Sequence, residues 1–452
     1  MKVQQAVVLA NASDGADGLL SSLKRLGVDI TTMSDPAEHI LDDWSGRLLI
    51  CDDAILSTDL GRSLVRRAAA DGIAIVDDAA ASVLAEHLGS SREVPDDLMR
   101  STAARALFAC VNADALELSA LQKGEDAPRY LICAHEKVQD LRYGENWHQK
   151  AALYSRPGGL GLFSASKLNG KEMSYNNVVD AEATLEMLID LSQYDGRRAE
   201  RPLAVIVKHA NPCGVAYGAS LEEAYRGAFA TDPKSAFGGV IGFDRPVDLA
   251  TAKAIGDSFV EVLLAPGFEP EALEMLGRNK PNRRILDIGD MLSQQDRLYR
   301  GWTFKGVMGG LLLQDFDRGD LKEWKVVTKR APSPEETRAL RFAWKVTKYV
   351  KSNALVYTTA DRTIGIGSGQ VSRVDAARFG AEKAEEHGLD TRGTVAATDS
   401  FFPFRDGLDQ TYLAGATAVI HPGGSIRDEE VIRAADEHDM AMVFTGMRHF
   451  RH

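Results

Sequence analysis

Cysteine is scarce in this 452-residue chain, and positive charge is outnumbered. The four cysteines, Cys51, Cys110, Cys133 and Cys213, stand far apart with no C-x-x-C spacing. That pattern suggests neither a disulfide framework nor a cysteine zinc site, and it leaves four reduced, structural thiols as the expectation. Lysine and arginine number 53 against 65 aspartates and glutamates, a formal net charge of -12. A nucleic-acid polymer or an acidic membrane needs a basic face, so neither is an expected partner, although a local basic pocket remains compatible with the total. No apolar run approaches the ~18 residues of a membrane span. The opening Met1-Lys2-Val3-Gln4-Gln5 has no charged-then-apolar leader, so the expected location is cytoplasmic.

What is present is an ordinary globular mixture, 44% hydrophobic and 26% charged. The length suits two or three domains of about 100 to 200 residues each. Over residues 1–90, β-branched runs at Gln5 to Ala10, Val28 to Thr32, Leu48 to Cys51 and Ile73 to Val76 alternate with helical patterns at Gly18 to Leu26 and Ser63 to Ala70. The alternation predicts a small α/β domain with a Rossmann-like, mostly parallel sheet. Residues 91–139 are polar and alanine-rich without strand signals, as in a helical connector. From about 140 to 452 the chain again reads α/β. Buried-strand runs at Leu203 to Val207, Val240 to Gly242, Leu311 to Leu313 and Thr417 to Ile420 are separated by helix patterns at Leu221 to Ala230, Glu335 to Val350 and Asp428 to Glu437.

Several segments could carry chemistry. The apolar run Leu203 to Val207 delivers Lys208 and His209 to its carboxyl end, where α/β proteins place reacting groups. A histidine with an ordinary pKa of about 6.5 accepts a proton near neutrality, and an adjacent ammonium offers charge to a developing oxyanion. A capped strand end with a solvated lysine is the equally weighted alternative. Zinc-deaminase chemistry would need H-x-E and P-C-x-x-C, but His209-Ala210-Asn211 lacks the glutamate and Pro212-Cys213-Gly214-Val215-Ala216 lacks the second cysteine, so no zinc is expected. Ile364 to Gln370 is glycine-rich, yet Gln370 holds the place of the third glycine of G-x-G-x-x-G, so a tight turn permitting close approach is preferred. Phe401 to Asp406 sets aromatics around Pro403, fitting core packing or a slot for a flat ring. His421 to Ser425 leads into a helix pattern and reads as a helix start, either anion-binding or simply capped.

Taken in order, these segments resemble the transformylase half of the PurH family across some 310 residues. The stretches that carry the resemblance are Leu141 to Asn146, Ser174 to Asn177, Val207 to Gly214, Ser235 to Gly239, Gly309 to Leu312, Lys351 to Ala354, Gly365 to Arg373, Phe401 to Asp406 and Met447 to His452. The resemblance implies two αβα units similar to cytidine deaminases but without the metal. It also implies formyl transfer from 10-formyltetrahydrofolate to the 5-amino group of AICAR, in a homodimer whose subunits share each site. Some family members hold a structural potassium ion, which the resemblance allows here.

By position, the resemblance makes His209 the base, Lys208 the group that stabilises the tetrahedral intermediate or protonates the departing folate nitrogen, and Asn353 a second donor to the oxyanion. It puts Arg142, Tyr143 and Lys280 near the nucleotide phosphate, Glu261 near the ribose, and Asn177 and Arg448 near the base and its carboxamide. Val374, Phe401, Pro403 and Asp406 fall on the folate side, and Ser235, Phe237, Gly238 and Gly239 on a loop between the two ligands.

Two departures matter. The cyclohydrolase signatures Lys-Thr-Leu-His-Pro, Asn-Leu-Tyr-Pro and Asp-Ile-Gly-Gly do not occur before Leu141, and Thr31-Thr32-Met33-Ser34-Asp35 lacks the glycines of a phosphate cradle. A degenerate cyclohydrolase-like domain without that activity is therefore expected. Trp147 stands where the family usually has proline, which leaves room for a related heterocyclic amine as substrate, while a catalytically silent nucleotide-binding protein is the third alternative.

Overall fold

A computed structural model describes residues 1–9, 16–33, 35–39, 42–51, 53–88, 93–124, 126–194 and 197–452. Ala10, Ser34 and the expected boundary at residue 90 lie outside the described residues. The chain divides into two compact units, Met1–Glu136 and Lys137–His452. None of the helices among the described residues is long and apolar enough to cross a membrane.

The first unit is built on strands β1 (Gln5–Leu9), β2 (Asp29–Met33), β3 (Arg47–Ile50) and β4 (Ile73–Ile75). They form a parallel sheet in the order β2-β1-β3-β4. Alternate residues face opposite sides. Ala6, Leu48 and Ile50 pack with helices α1 (Asp17–Arg25) and α3 (Asp78–His87), whereas Val7, Leu49 and Ala74 pack with α2 (Asp59–Asp71) and α4 (Asp96–Leu121). Within residues 91–139, Asp96–Leu121 forms α4, which is part of this unit's outer layer. Its Ala106 and Cys110 are fully buried, and Asp114 and Glu117 pair with Arg62 of α2.

The second unit consists of two halves with the same element order. In the first, β5 (Ser166–Asn169), α5 (Tyr175–Leu191), β6 (Leu203–Lys208), β7 (Asn211–Tyr217), α6 (Leu221–Thr231), β8 (Val240–Phe243), α7 (Leu249–Ile255), β9 (Val262–Ala265), α8 (Pro270–Asn279) and β10 (Arg284–Asp287) give a sheet ordered β7-β6-β8-β9-β10-β5. In the second, β11 (Lys325–Val326), α9 (Pro334–Thr347), β12 (Leu355–Thr358), β13 (Thr363–Gly367), α10 (Arg373–Glu386), β14 (Val395–Thr398), α11 (Arg405–Leu413), β15 (Ala418–His421), α12 (Asp428–Glu437) and β16 (Ala441–Phe444) give β13-β12-β14-β15-β16-β11. Each sheet has an antiparallel hairpin at one edge, three parallel strands, and an antiparallel strand at the other edge.

Both halves are αβα sandwiches, as the resemblance implies. The central strands read as continuous apolar runs because both faces are covered. Val205 and Val207 meet α5 while Ala204 and Ile206 meet α6. In the second half Ala397 and Ile420 meet α9, while Tyr357 and Val419 meet the layer of α10 to α12. The halves join through their hairpins, where the Val215 amide and the Thr231 hydroxyl both hydrogen-bond the Thr363 side chain. The glycines of the expected tight turn in fact lie within β13. A Cβ on Gly365 or Gly367 would strike the backbone of α10 at about 2 Å, so these residues let that helix press against the strand. Only Gly369, at φ 66°, has turn geometry.

Candidate active site

Strand β6 ends at Lys208, which pairs with Asn211 of β7, so only His209 and Ala210 span the hairpin. Both have positive φ, 57° and 54°, the pattern of a type I′ turn. Such turns favour Asn-Gly, and a side chain at positive φ costs about 1–2 kcal/mol per residue. The turn is held from both sides. The Ala210 amide donates to Asp180 Oδ1 of α5 at 2.7 Å, and Asn211 Oδ1 accepts from the Lys351 amide at 3.0 Å. His209 is consequently exposed at a fixed position.

Lys208 and His209 open into a cavity of about 410 Å³ that Cys213, Asp232, Ser235 and Ser368 also line. Burial pushes the Cys213 thiol up to about 12, so it stays neutral and is no nucleophile near pH 7. Lys208 Nζ donates to the Phe237 carbonyl at 2.7 Å. This carbonyl belongs to the segment Ser235 to Gly239, whose geometry requires glycine. Gly238 has φ 74°, and a Cβ on Gly239 would sit 2.8 Å from the Val207 carbonyl oxygen. Phe237 is largely exposed and its ring lies 5.2 Å from that of Phe259.

The Gly239 carbonyl of this segment accepts from the Glu261 amide, and Glu261 lines a second cavity, of about 420 Å³, where Arg142, Lys171 and Lys280 meet with Arg283 and Arg284. Arg142, Lys171 and Lys280 beside the Arg284–Glu261 pair give the acidic protein its local basic pocket, suited to a phosphate with a hydroxyl-bearing sugar beside it, while the buried Arg283 guanidinium binds the Leu276, Gly256 and Ser258 carbonyls. Glu261 pairs with Arg284 at 2.5 Å. Tyr143 follows Arg142, whose guanidinium reaches its hydroxyl at 3.1 Å and stacks over its ring. Phe259 and Lys280 also line a third cavity, of about 380 Å³, together with Phe237. Three of the six residues matched to the nucleotide therefore converge in one cavity, with Tyr143 alongside.

The remaining expected residues fall elsewhere. Asn353 does not line the cavity of Lys208 and His209. Its Nδ2 donates to the Gln370 carbonyl at 2.8 Å and its Oδ1 accepts from Arg373 at 2.8 Å, leaving one amide hydrogen available. It is linked to that cavity through Lys351, which bonds Asn211, and through Gln370, two residues after Ser368. Asn177 is buried in a reciprocal cap with Ser174 at the start of α5, which commits its carbonyl oxygen to backbone. Arg448 is exposed, stacked 4.5 Å over Phe450.

On the folate side, Val374 and Asp406 stand at the starts of α10 and α11 with Phe401 and Pro403 just before α11, and Asp406 caps the Gly407 amide. The aromatic segment divides its roles: Phe402 is core, edge-on to His421, while Phe404 is half exposed beneath Arg427. The His421 to Ser425 segment offers no open anion cradle, because the Gly424 and Ser425 amides already donate to the Asp428 carboxylate.

Sequence reasoning missed the residues that place these groups. Asp399, fully buried, accepts from Arg373, Ser352 and the Ala354 amide, fixing the strand start that bears Asn353. Asp180 gave no local signal. Asp232-Pro233, by contrast, is a helix-start signature.

Comparisons with known proteins identify the family. The model of the AICARFT/IMPCHase bienzyme family matches residues 69–383. The chain is 46% identical over 400 residues to a bifunctional purine biosynthesis protein PurH from Chloroflexus aurantiacus, covering 87% of this chain and 75% of the relative. The PurH protein of Acidithiobacillus ferrooxidans is 51% identical over 329 residues, 72% of this chain and 60% of that protein. The PurH protein of Myxococcus xanthus is 46% identical over 413 residues, 88% and 78% respectively. A family match over residues 69–383 and 46% identity along three quarters or more of two relatives' own length show that the chain belongs to the AICARFT/IMPCHase bienzyme family.

Proposed function

We propose that this chain is an AICAR formyltransferase of purine synthesis, moving the formyl group of 10-formyltetrahydrofolate to the 5-amino group of AICAR and releasing FAICAR and tetrahydrofolate. The supporting observation is a pair of cavities linked by one glycine-bearing segment: Ser235 lines the cavity of the Lys208-His209 turn, and the Gly239 carbonyl accepts from the amide of Glu261, which lines the other with Arg142 and Lys280. The nucleotide phosphate is held in the basic cavity, and its amine is presented to the formyl carbon near His209. As the new C–N bond forms, His209 takes the amine proton, and Lys208 faces the carbonyl oxygen as it becomes negative. Collapse breaks the bond to the folate N10, which receives a proton. One oxyanion donor contributes about 100- to 1000-fold and a positioned base about 100- to 10,000-fold. The resemblance also makes Asn353 a second donor through its remaining amide hydrogen, although the residue does not line the Lys208–His209 cavity. The resemblance puts Val374, Phe401, Pro403 and Asp406 on the donor, and Arg448 and Asn177 on the base of the acceptor, Asn177 with its carbonyl oxygen committed to the helix cap.

Steady-state assay of the purified chain with AICAR and 10-formyltetrahydrofolate tests the reading. Saturable FAICAR formation is the expected result, and its absence in folded protein refutes the proposal. A related amino-heterocycle is the second reading, favoured by Trp147, which is 86% exposed on the turn following Arg142 and Tyr143. Rescue of a purine auxotroph lacking only the transformylase supports AICAR, whereas turnover in vitro without rescue supports the analogue.

The chain acts as a homodimer with shared sites in this reading. The exposed hairpin Trp302–Val307 and Gly310–Asp315 supports it, since Phe304, Met308 and Leu312 face solvent on a two-stranded ribbon that is marginal alone. Residues 1–136 carry no cyclohydrolase activity, a reading that rests on the signature strings absent from the sequence. Catalytic formation of IMP from FAICAR would overturn it.

A further inference from the structure

Asp232 lies between α6 and a single helical turn, Pro233–Ala236, on the wall of the Lys208–His209 cavity. It is held by three groups. Its carboxylate accepts from the Ser235 amide at 2.9 Å and the Ser235 hydroxyl at 2.7 Å. From the other half, Lys383 Nζ of α10 lies 3.0 Å away, and His387, just after α10, brings its Nε2 to 3.0 Å without the alignment of a hydrogen bond. Its side chain is only 13% exposed. Burial opposes its charge, but the Ser235 bonds and Lys383 outweigh that and hold the carboxyl below the ordinary range.

The turn that Asp232 caps runs directly into Phe237, whose carbonyl receives the Lys208 ammonium at 2.7 Å. The Ala236 carbonyl then accepts from Gly239, so the cap and the acceptor belong to one rigid piece of backbone. An ammonium on a flexible four-carbon stem has no geometry of its own, and its direction is set by what anchors it.

We infer that Asp232 is a positioning residue for formyl transfer: by tying the Ser235-to-Gly239 segment to α10, it fixes the Phe237 carbonyl that aims Lys208 at the reacting oxygen. This rests on the proposed role of Lys208. Lys383 offsets the charge of Asp232 locally, so the Lys208 charge remains available to the oxyanion.

A merely structural cap would change stability and leave turnover alone. Asp248 provides that control, since it caps α7 through the Thr251 amide at 2.7 Å. Asp232→Ala, Asp232→Asn, Asp248→Ala and Lys208→Gln are compared in the full chain for kcat, KM for both substrates and melting temperature. Asp232→Ala is expected to lower kcat about 10-fold or more with KM for AICAR within 2-fold. Asp232→Asn, which still caps, restores most of the turnover, and Asp248→Ala lowers stability alone. Adding Asp232→Ala to Lys208→Gln gives no further loss of kcat. Normal kcat in folded Asp232→Ala, or fully additive losses in the double variant, overturns the inference. A fully active Lys208→Gln instead overturns the role of Lys208 itself.

Discussion

The two halves of the second unit share one element order, yet their edge hairpins differ in the feature that matters for chemistry. In the first half the β6–β7 link is two residues long, with His209 and Ala210 at positive φ. In the second half Thr358 pairs with Thr363, the link spans Thr359 to Arg362, and no residue there has positive φ. The longer link closes by an ordinary bond from the Thr359 amide to the Arg362 carbonyl. One sandwich therefore supports either a relaxed turn or a strained one that projects an imidazole. Strain of about 1–3 kcal/mol per residue persists only where surrounding structure imposes it, here through Asp180 and Asn211. The duplicated scaffold is neutral with respect to function, and the chemistry sits where one copy departs from its own pattern.

The largest effect follows from that difference. His209→Ala is expected to cut turnover by at least about 100-fold with the fold intact, because a positioned base contributes 100- to 10,000-fold. Substitution at the equivalent hairpin, Thr359→Ala, leaves kcat within about 2-fold. Stopped-assay rates on the two proteins, with circular dichroism to confirm folding, decide the matter. Near-normal turnover in His209→Ala removes the acid–base assignment.

How far the sequence revealed this depends on whether the signal was local. Helices ran close to expectation where periodicity and caps agreed: Asp428–Glu437 is found at the expected residues, and Leu221–Thr231 begins on a Ser220 cap. The buried strand carrying Lys208 was legible for the same reason. Asp399, Asp180 and Arg373 were not, because their importance lies in contacts up to 47 residues away in the chain, and an isolated Asp or Arg looks like surface. Gly365 and Gly367 read as a turn because glycine favours turns. Their actual reason, an approaching helix backbone, is tertiary. Asn177 shows the reverse, since Ser174 and Asn177 stand three apart at the start of a helix and their reciprocal cap is a local arrangement.

That cap supports a second test. Helices α5 and α9 occupy the same place in their halves and both begin with a reciprocal capping box, Ser174 with Asn177 and Ser333 with Glu336. The first is neutral and the second is charged. Glu336 also binds Arg330 through both oxygens, at 2.8 and 2.9 Å, and accepts from Thr417 at 2.6 Å. Burial opposes ionisation, but these bonds outweigh it and hold the carboxyl down to about 2. Its folded-state value lies below the ~4.3 of an unfolded glutamate. The stabilisation is therefore complete above about pH 4.3, declines as pH falls and is gone below about 2; linkage gives about 3 kcal/mol at neutrality, which solvent screening of the partly exposed pair reduces to about 2 kcal/mol. Glu336→Gln should lower stability by that amount at pH 7 and 5, with the gap to the native chain narrowing at pH 3. Asn177→Ala should produce a deficit of about 1 kcal/mol that does not narrow on acidification. Denaturant titrations at the three pH values distinguish the two caps, and a gap that widens in acid contradicts the linkage.

The smallest effect is the sharpest, because it predicts opposite signs in equivalent hairpins. Ala210 adopts φ 54°, where an L side chain is disfavoured and glycine is not. Ala210→Gly should therefore stabilise the chain by about 1 kcal/mol, less the extra freedom that glycine gives the unfolded state. Ala360, in the matching link, has no positive φ and packs partly against the core beneath α9. There Ala360→Gly gains nothing and loses both contact and entropy, about 0.5–1 kcal/mol of stability. Alanine at 210 thus costs stability and narrows the conformations open to His209, so the stabilised variant should also turn over a few-fold more slowly. Should both glycine variants be destabilised alike, the two hairpins are energetically equivalent, and His209 owes its placement to its ligands rather than to its turn.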